Sequence, residues 1–87
     1  MTMNDVQAWC RTNKIDARGF VRGAEFTLGA GDSATRHSLD DVLHWEVTVN
    51  GEKYPCSPSD MERLVAGKMS LENFVQAMSR EARRGGE

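Results

Sequence analysis

The chain contains few of the residues that build metal sites or disulfide frameworks. Two cysteines, Cys10 and Cys56, and two histidines, His37 and His44, are present among 87 residues. The cysteines follow no Cys-x-x-Cys or Cys/His spacing, and no second pair of ligands accompanies the histidines. This pattern excludes the usual zinc motifs and favours two buried thiols in a reducing compartment over a disulfide. We therefore expect no metal and no cofactor.

Long apolar runs are absent as well. No stretch approaches the ~20 apolar residues that a membrane-spanning helix needs, and no signal-peptide pattern is present. The chain also has no internal repeat and no low-complexity segment. We expect one soluble, cytoplasmic domain over residues 1–87, with a disordered end at residues 85–87 and no membrane contact.

Catalytic signatures are missing. Gly31-Asp32-Ser33 resembles the nucleophile motif of the GDS-type esterases, but the distant Asp-x-x-His that completes the esterase triad does not follow. Gly29-Ala30-Gly31 belongs to neither a GxGxxG nor a Walker pattern. Asp40 and Asp41 are adjacent, and neighbouring residues of a helix do not face each other, so they make a poor catalytic pair. We expect a protein that is not an enzyme.

The clearest pattern that is present is a hairpin over residues 45–56. Asn50-Gly51 suits a two-residue type I′ turn, because both of its positions need positive φ. The turn sets a register that divides the side chains between two faces. The apolar face holds Trp45, Val47, Tyr54 and Cys56, and the polar face holds Glu46, Thr48 and Lys53. Pro55 lacks an N–H group, which places its strand at a sheet edge.

Two helices follow this hairpin. Ser57 is an N-cap followed by Pro58 at the first helical position, and Gly67 ends the helix. Ser70 then caps a second helix. Its apolar stripe consists of Leu71, Phe74, Val75, Met78 and Ala82. The pair forms a C-terminal helical hairpin.

The front half is predicted to add a helix and a strand. Thr2 or Asn4 caps a helix that ends near Asn13. Residues 19–28 alternate with period two and predict one strand with Gly23 as a bulge. In that strand one face carries Phe20, Ala24, Phe26 and Leu28.

A short helical turn is expected between this strand and the hairpin. Ser38 with Asp41 predicts the turn, which runs over Leu39, Val42 and Leu43; the rival is one long strand from residue 35 to 49. The fold class is thus a small α+β domain of order α-β-(short α)-β-β-α-α. Its antiparallel sheet packs against the C-terminal helical hairpin.

The net charge of −2 conceals an acidic middle segment. Residues 37–62 contain six acids and one base, Lys53. The acids are Asp40, Asp41, Glu46, Glu52, Asp60 and Glu62. We expect Asp40, Asp41, Glu46 and Glu52 to approach one another and form a patch that attracts a basic surface. The other interpretation, an ordinary solvated face, stays open.

The leading hypothesis is a non-enzymatic protein-binding module that uses these four acids to occupy a basic surface of a larger protein or complex. In size and profile the chain resembles phage-encoded inhibitors, anti-CRISPR proteins among them, and this resemblance implies inhibition of the partner. The alternative is a nucleic-acid-binding accessory protein. Its candidate residues are Arg11, Lys14, Arg18 and Arg22, together with Arg80, Arg83 and Arg84. Homodimerisation is compatible with both hypotheses.

Overall fold

A four-stranded antiparallel sheet carries three helices. The computed structural model describes residues 1–29 and 37–85, the last five of them by their backbone alone. In chain order the elements are α1 (Met3–Asn13), β1 (Asp16–Val21), β2 (Ala24–Leu28), a 3₁₀ turn (Leu39–Asp41), β3 (Val42–Val49), β4 (Glu52–Cys56), α2 (Pro58–Val65) and α3 (Leu71–Gly85). The strand order in the sheet is β2-β1-β3-β4. The predicted α+β class, with one helix first and two last, is confirmed.

The hairpin of β3 and β4 has the predicted register. Trp45 pairs with Cys56 and Val47 with Tyr54, and the turn between the strands has positive φ at Asn50 (52°) and Gly51 (82°). β4 lies at the edge of the sheet, as Pro55 indicated. Agreement between turn chemistry and side-chain alternation explains why this segment could be predicted residue by residue.

The two C-terminal helices begin at the predicted caps. Ser57 Oγ accepts a hydrogen bond from the Asp60 N–H (3.1 Å), and Ser70 Oγ accepts one from the Asn73 N–H (3.1 Å). α2 ends at Val65, and Gly67 follows it in the left-handed region, at φ 78°. α3 continues through Gly85, and the last two residues lie outside the described part of the chain, so the expected disorder of residues 85–87 stays a prediction.

α1 begins with a reciprocal pair of hydrogen bonds. The Thr2 hydroxyl accepts from the Asp5 N–H (3.3 Å), and the Asp5 carboxylate accepts from the Thr2 N–H (2.8 Å). Thr2, rather than Asn4, is therefore the N-cap, and the helix ends at Asn13 as expected. Such a capping box satisfies two backbone donors that a helix end otherwise leaves without a partner.

Residues 19–28 form a hairpin, and the prediction of one strand was wrong. β1 and β2 pair antiparallel around Arg22 and Gly23, and Gly23 has φ 78°. Phe20 pairs with Glu25, whereas Phe26 pairs with Gly19. A two-residue turn reverses the parity of the alternation, so Phe20 and Phe26 lie on opposite faces of the sheet.

The segment before the C-terminal hairpin combines a turn with a bulge. Ser38 Oγ accepts a hydrogen bond from the Asp40 N–H (3.3 Å) at the start of the predicted turn. β3 begins at Val42, so the expected extension of the turn over Val42 and Leu43 is wrong, and so is one unbroken strand from 35 to 49. Phe20 pairs with His44 and Val21 with Val42, which leaves Leu43 as the extra residue of a β-bulge.

One apolar cluster fills the space between the helices and one face of the sheet. Its members come from every strand and helix that the structure describes. The most completely buried large side chains are Trp45, Phe74, Leu28, Met61, Val6, Val47 and Cys10. The opposite face of the sheet contributes no buried side chain to this cluster.

Candidate functional site

The four acids that we expected to form a patch do not share one surface. Asp40 and Asp41 lie together in the 3₁₀ turn. Glu46 pairs with Pro55 and Glu52 with Val49, so alternation along the strands puts Glu46 and Glu52 on opposite faces of the sheet. The turn therefore keeps the first two acids together, and the sheet separates the other two.

Glu46 belongs to a charge cluster on the face opposite the helices. Arg18 Nη1 lies 4.0 Å from both Glu25 Oε1 and Glu46 Oε1. Ion pairs at partly exposed positions contribute at most about 1 kcal/mol to stability. They do reduce the negative potential that Glu46 presents to an incoming molecule.

Glu52 lies on the face of the sheet that the helices cover, and its carboxylate binds the Tyr54 hydroxyl. The Tyr54 hydroxyl donates a hydrogen bond to Glu52 Oε2 (2.7 Å), and this bond raises the pKa of Tyr54. The Tyr54 ring also meets the Phe74 ring edge-on, with 6.5 Å between centroids. Glu52 thus helps to hold a tyrosine that connects β4 to α3.

An acidic groove runs along the helical side, and Asp40 lies at one end of it. Two adjoining depressions form the groove; one of about 450 Å³ lies between α1 and α2, and one of about 270 Å³ lies between α2 and the 3₁₀ turn. Met1 and Glu62 line both depressions. We call this feature the Met1 groove. Its acids are Asp5, Asp40 and Glu62, and its main apolar residues are Met1, Ala8, Trp9, Leu39 and Val65.

Lysine and arginine side chains are missing from the Met1 groove. Among the described residues, neither depression is lined by a lysine or an arginine. Asp40 and Glu62 are exposed, and within the described part of the chain neither forms an ion pair. Carboxylates above an apolar floor create a stronger negative potential than the same groups on an open polar surface.

Sequence reasoning identified Asp40 but missed Asp5 and Glu62 as members of this site. Asp5 belongs to α1 and Glu62 to α2, and the two residues approach only because these helices pack against each other. No local motif signals such a meeting. The available signal was spacing: Asp5 stands four residues before Trp9 and Glu62 three residues before Val65, which puts each acid on the same helix face as an apolar side chain.

The candidate nucleic-acid-binding residues of the front half are separated along the fold. Arg11 and Lys14 lie at the end of α1, whereas Arg22 lies beyond the far end of β1. A six-residue strand spans roughly 15–20 Å. Arg80 is exposed on α3, and the side chains of Arg83 and Arg84 lie outside the described residues.

The two histidines and two cysteines, the other candidates for metal binding or nucleophilic catalysis, are engaged in packing. His44 stacks on Phe20 with 4.4 Å between ring centroids, and His37 stacks on Phe26 with 5.3 Å. Burial raises the pKa of both free thiols, Cys10 and Cys56, to about 12. A thiol with such a pKa is a poor nucleophile at neutral pH.

The described residues contain neither a metal-ligand cluster nor a membrane-spanning helix. No group of three or more His, Cys, Asp or Glu there could hold a metal ion. Among the same residues, no helix has the length and apolar character needed to cross a bilayer. The Gly31-Asp32-Ser33 segment lies outside the described residues.

No protein-family model, curated protein or solved structure matches this chain. The described residues form a small α+β domain with an acidic, apolar-floored groove on its helical side.

Proposed function

We propose that this chain is a non-enzymatic protein-binding module that occupies a basic surface of a larger protein or complex. One observation carries the proposal: Asp5, Asp40 and Glu62 line a groove that no lysine or arginine of the described residues lines. Charge complementarity of this kind speeds encounter with a basic partner and disfavours acidic ones. Asp41, exposed beside Asp40, adds to the same potential.

The finer proposal is that binding inhibits the partner in the manner of phage-type inhibitors, including anti-CRISPR proteins. Basic surfaces of large proteins commonly hold the phosphate backbone of a nucleic acid. A domain seated on such a surface competes with that ligand. The free, buried cysteines fit a reducing cytoplasmic compartment, where this competition would take place.

The test is capture of the partner followed by a charge-reversal series. A tagged chain is used to capture proteins from its source cells, and the bound protein is then purified for titration calorimetry. Asp40→Lys and Glu62→Lys remove groove acids, and Glu72→Lys is the matched control on exposed α3. We expect each groove variant to weaken binding about tenfold or more and the control to change it less than about twofold.

Equal losses from Glu62→Lys and Glu72→Lys would contradict the proposal, and so would unchanged binding in both groove variants.

The same series tests the nucleic-acid alternative. That hypothesis predicts that lysines at positions 40 and 62 strengthen binding to a 20-mer DNA or RNA, with a steep dependence on salt.

A further inference from the structure

We infer that the Met1 groove accepts one basic amphipathic α-helix of the partner. The apolar side of that helix lies on the groove floor, and its lysines or arginines reach the acids on either side. This inference rests on the proposed function and deepens it, because it specifies the element of the partner that is bound.

The floor of the groove requires more than a charged ligand. Met1 is 49 % exposed, and Trp9 and Val65 are only partly buried between α1 and α2. Ala8 is small and exposed beside them, so a bound segment can approach closely. A purely ionic partner would leave this apolar surface in contact with water, whereas apolar anchors would cover it.

The walls of the groove favour a helix over an extended segment. α1 and α2 form these walls, and a helix pairs the backbone groups of its interior within itself. A strand placed between two helices would therefore find no ladder for its own N–H and C=O groups. A bound helix satisfies its own backbone, and helix-in-groove recognition needs only side-chain anchors spaced at i, i+3, i+4 and i+7.

The positions of the acids specify where the cations of that helix lie. Asp5 is on the α1 wall, Glu62 is on the α2 wall, and Asp40 is at the end formed by the 3₁₀ turn. Positive side chains are therefore needed on both sides of the apolar stripe. This is the charge distribution of a basic amphipathic helix.

A synthetic peptide tests the inference without the natural partner. The probe is a 14-residue peptide of leucine and lysine with leucines at i, i+3, i+4 and i+7, and its control has the same composition in an order without an apolar face. Binding is measured by titration calorimetry and located by amide chemical shifts. We expect the control peptide to bind at least tenfold more weakly and the shifts to cluster on α1 and α2. Equal binding of the two peptides, or shifts elsewhere, would overturn the inference.

A matched pair of variants tests the floor itself. Ala8→Gln places a longer, polar side chain in the groove, and Ala77→Gln makes the same change at an exposed position of α3. Both variants keep a good helix-forming residue, so their melting temperatures should match that of the parent. We expect Ala8→Gln to weaken peptide binding about tenfold and Ala77→Gln to change it less than twofold. The same effect from both variants would overturn the inference.

Binding of the captured natural partner to the two variants Glu62→Lys and Ala8→Gln distinguishes the helix inference from the proposed function. If Glu62→Lys weakens its binding and Ala8→Gln does not, the helix in the groove is wrong and the acidic binding surface stands. If neither variant weakens binding, both proposals fall. Weaker binding in both variants supports the helix.

Discussion

The ring of Phe26 lies across the backbone of Gly19, its partner in the pairing of β1 with β2. A Cβ atom added at Gly19 would overlap the ring, with Phe26 Cε1 only 2.7 Å away. The ring cannot easily yield, because it stacks on His37 and meets the Trp45 ring edge-on at 5.6 Å between centroids. Phe26 can pack against the core because Gly19 has no side chain.

Gly19→Ala should therefore lower the free energy of unfolding by about 1–3 kcal/mol, the usual cost of overpacking. Urea unfolding measures the change. The control is the same substitution in a Phe26→Ala background, where the space beside residue 19 is free and the cost should largely disappear. An equal loss in both backgrounds would show that the contact does not determine the effect.

Ser57→Ala should destabilise the protein by about 1 kcal/mol, because the Asp60 N–H loses its capping acceptor. Ser59→Ala is the matched control. Ser59 is exposed one residue inside the helix, and its replacement should change stability by less than about 0.5 kcal/mol. Thermal unfolding measures both variants. A lower melting temperature for Ser59→Ala than for Ser57→Ala would refute Ser57 as the N-cap.

The bulge at the start of β3 predicts opposite behaviour for two adjacent apolar residues. Val42 is 6 % exposed and Leu43 is 62 % exposed. Val42→Ala should cost roughly 1–3 kcal/mol through lost burial and a small cavity, and Leu43→Ala should stay within about 0.5 kcal/mol of the parent. Denaturant unfolding checks both. A larger loss at Leu43 would mean that the bulge lies at another position.

The buried thiols predict a loss of stability at alkaline pH. Desolvation, assisted by the Asp16 charge for Cys10 and the Asp60 charge for Cys56, raises the pKa of each thiol from 9.0 to about 12. The folded state thus holds these protons more tightly than the unfolded state does. Their contribution is complete below pH 9 and is lost progressively as the pH rises towards 12, by about 1.4 kcal/mol per pH unit for each thiol.

Urea unfolding at pH 8, 9 and 10 measures this slope. Cys10→Ala removes one titrating thiol, so the stability of that variant should fall less steeply above pH 9. In the native protein at pH 8, both thiols should react with a thiol reagent only as fast as the chain unfolds. A fast native reaction of either cysteine would contradict its burial.

The accuracy of sequence reasoning differed between the two hairpins for a physical reason. Asn50-Gly51 combines two residues that tolerate positive φ, so turn type and strand alternation indicated the same register. Arg22-Gly23 has only one such residue, and the alternation of residues 19–28 continues through it. A two-residue turn and a bulged strand are then indistinguishable until the strands pair.

The binding surface was less predictable than the fold because it depends on contacts between distant segments. Asp40 was identifiable within an acidic stretch of sequence. Glu62 meets Asp40 only where α2 lies beside the 3₁₀ turn, and Asp5 meets Glu62 only where α1 packs on α2. Glu46 left the expected set because it lies on the opposite face of the sheet, beside Arg18. Local composition contains no information about these contacts.

Pro55 has a consequence for self-assembly. Val49 and Glu52 flank a two-residue turn and form a hydrogen-bonded pair, so the alternating ladder makes Glu46 and Pro55 a non-hydrogen-bonded pair. The nitrogen of Pro55 therefore points away from β3, towards the open edge of the sheet, where any other residue would offer an N–H donor. A strand from a second molecule that paired along β4 would therefore lack a hydrogen bond at Pro55. This gap should keep concentrated protein from polymerising through that edge.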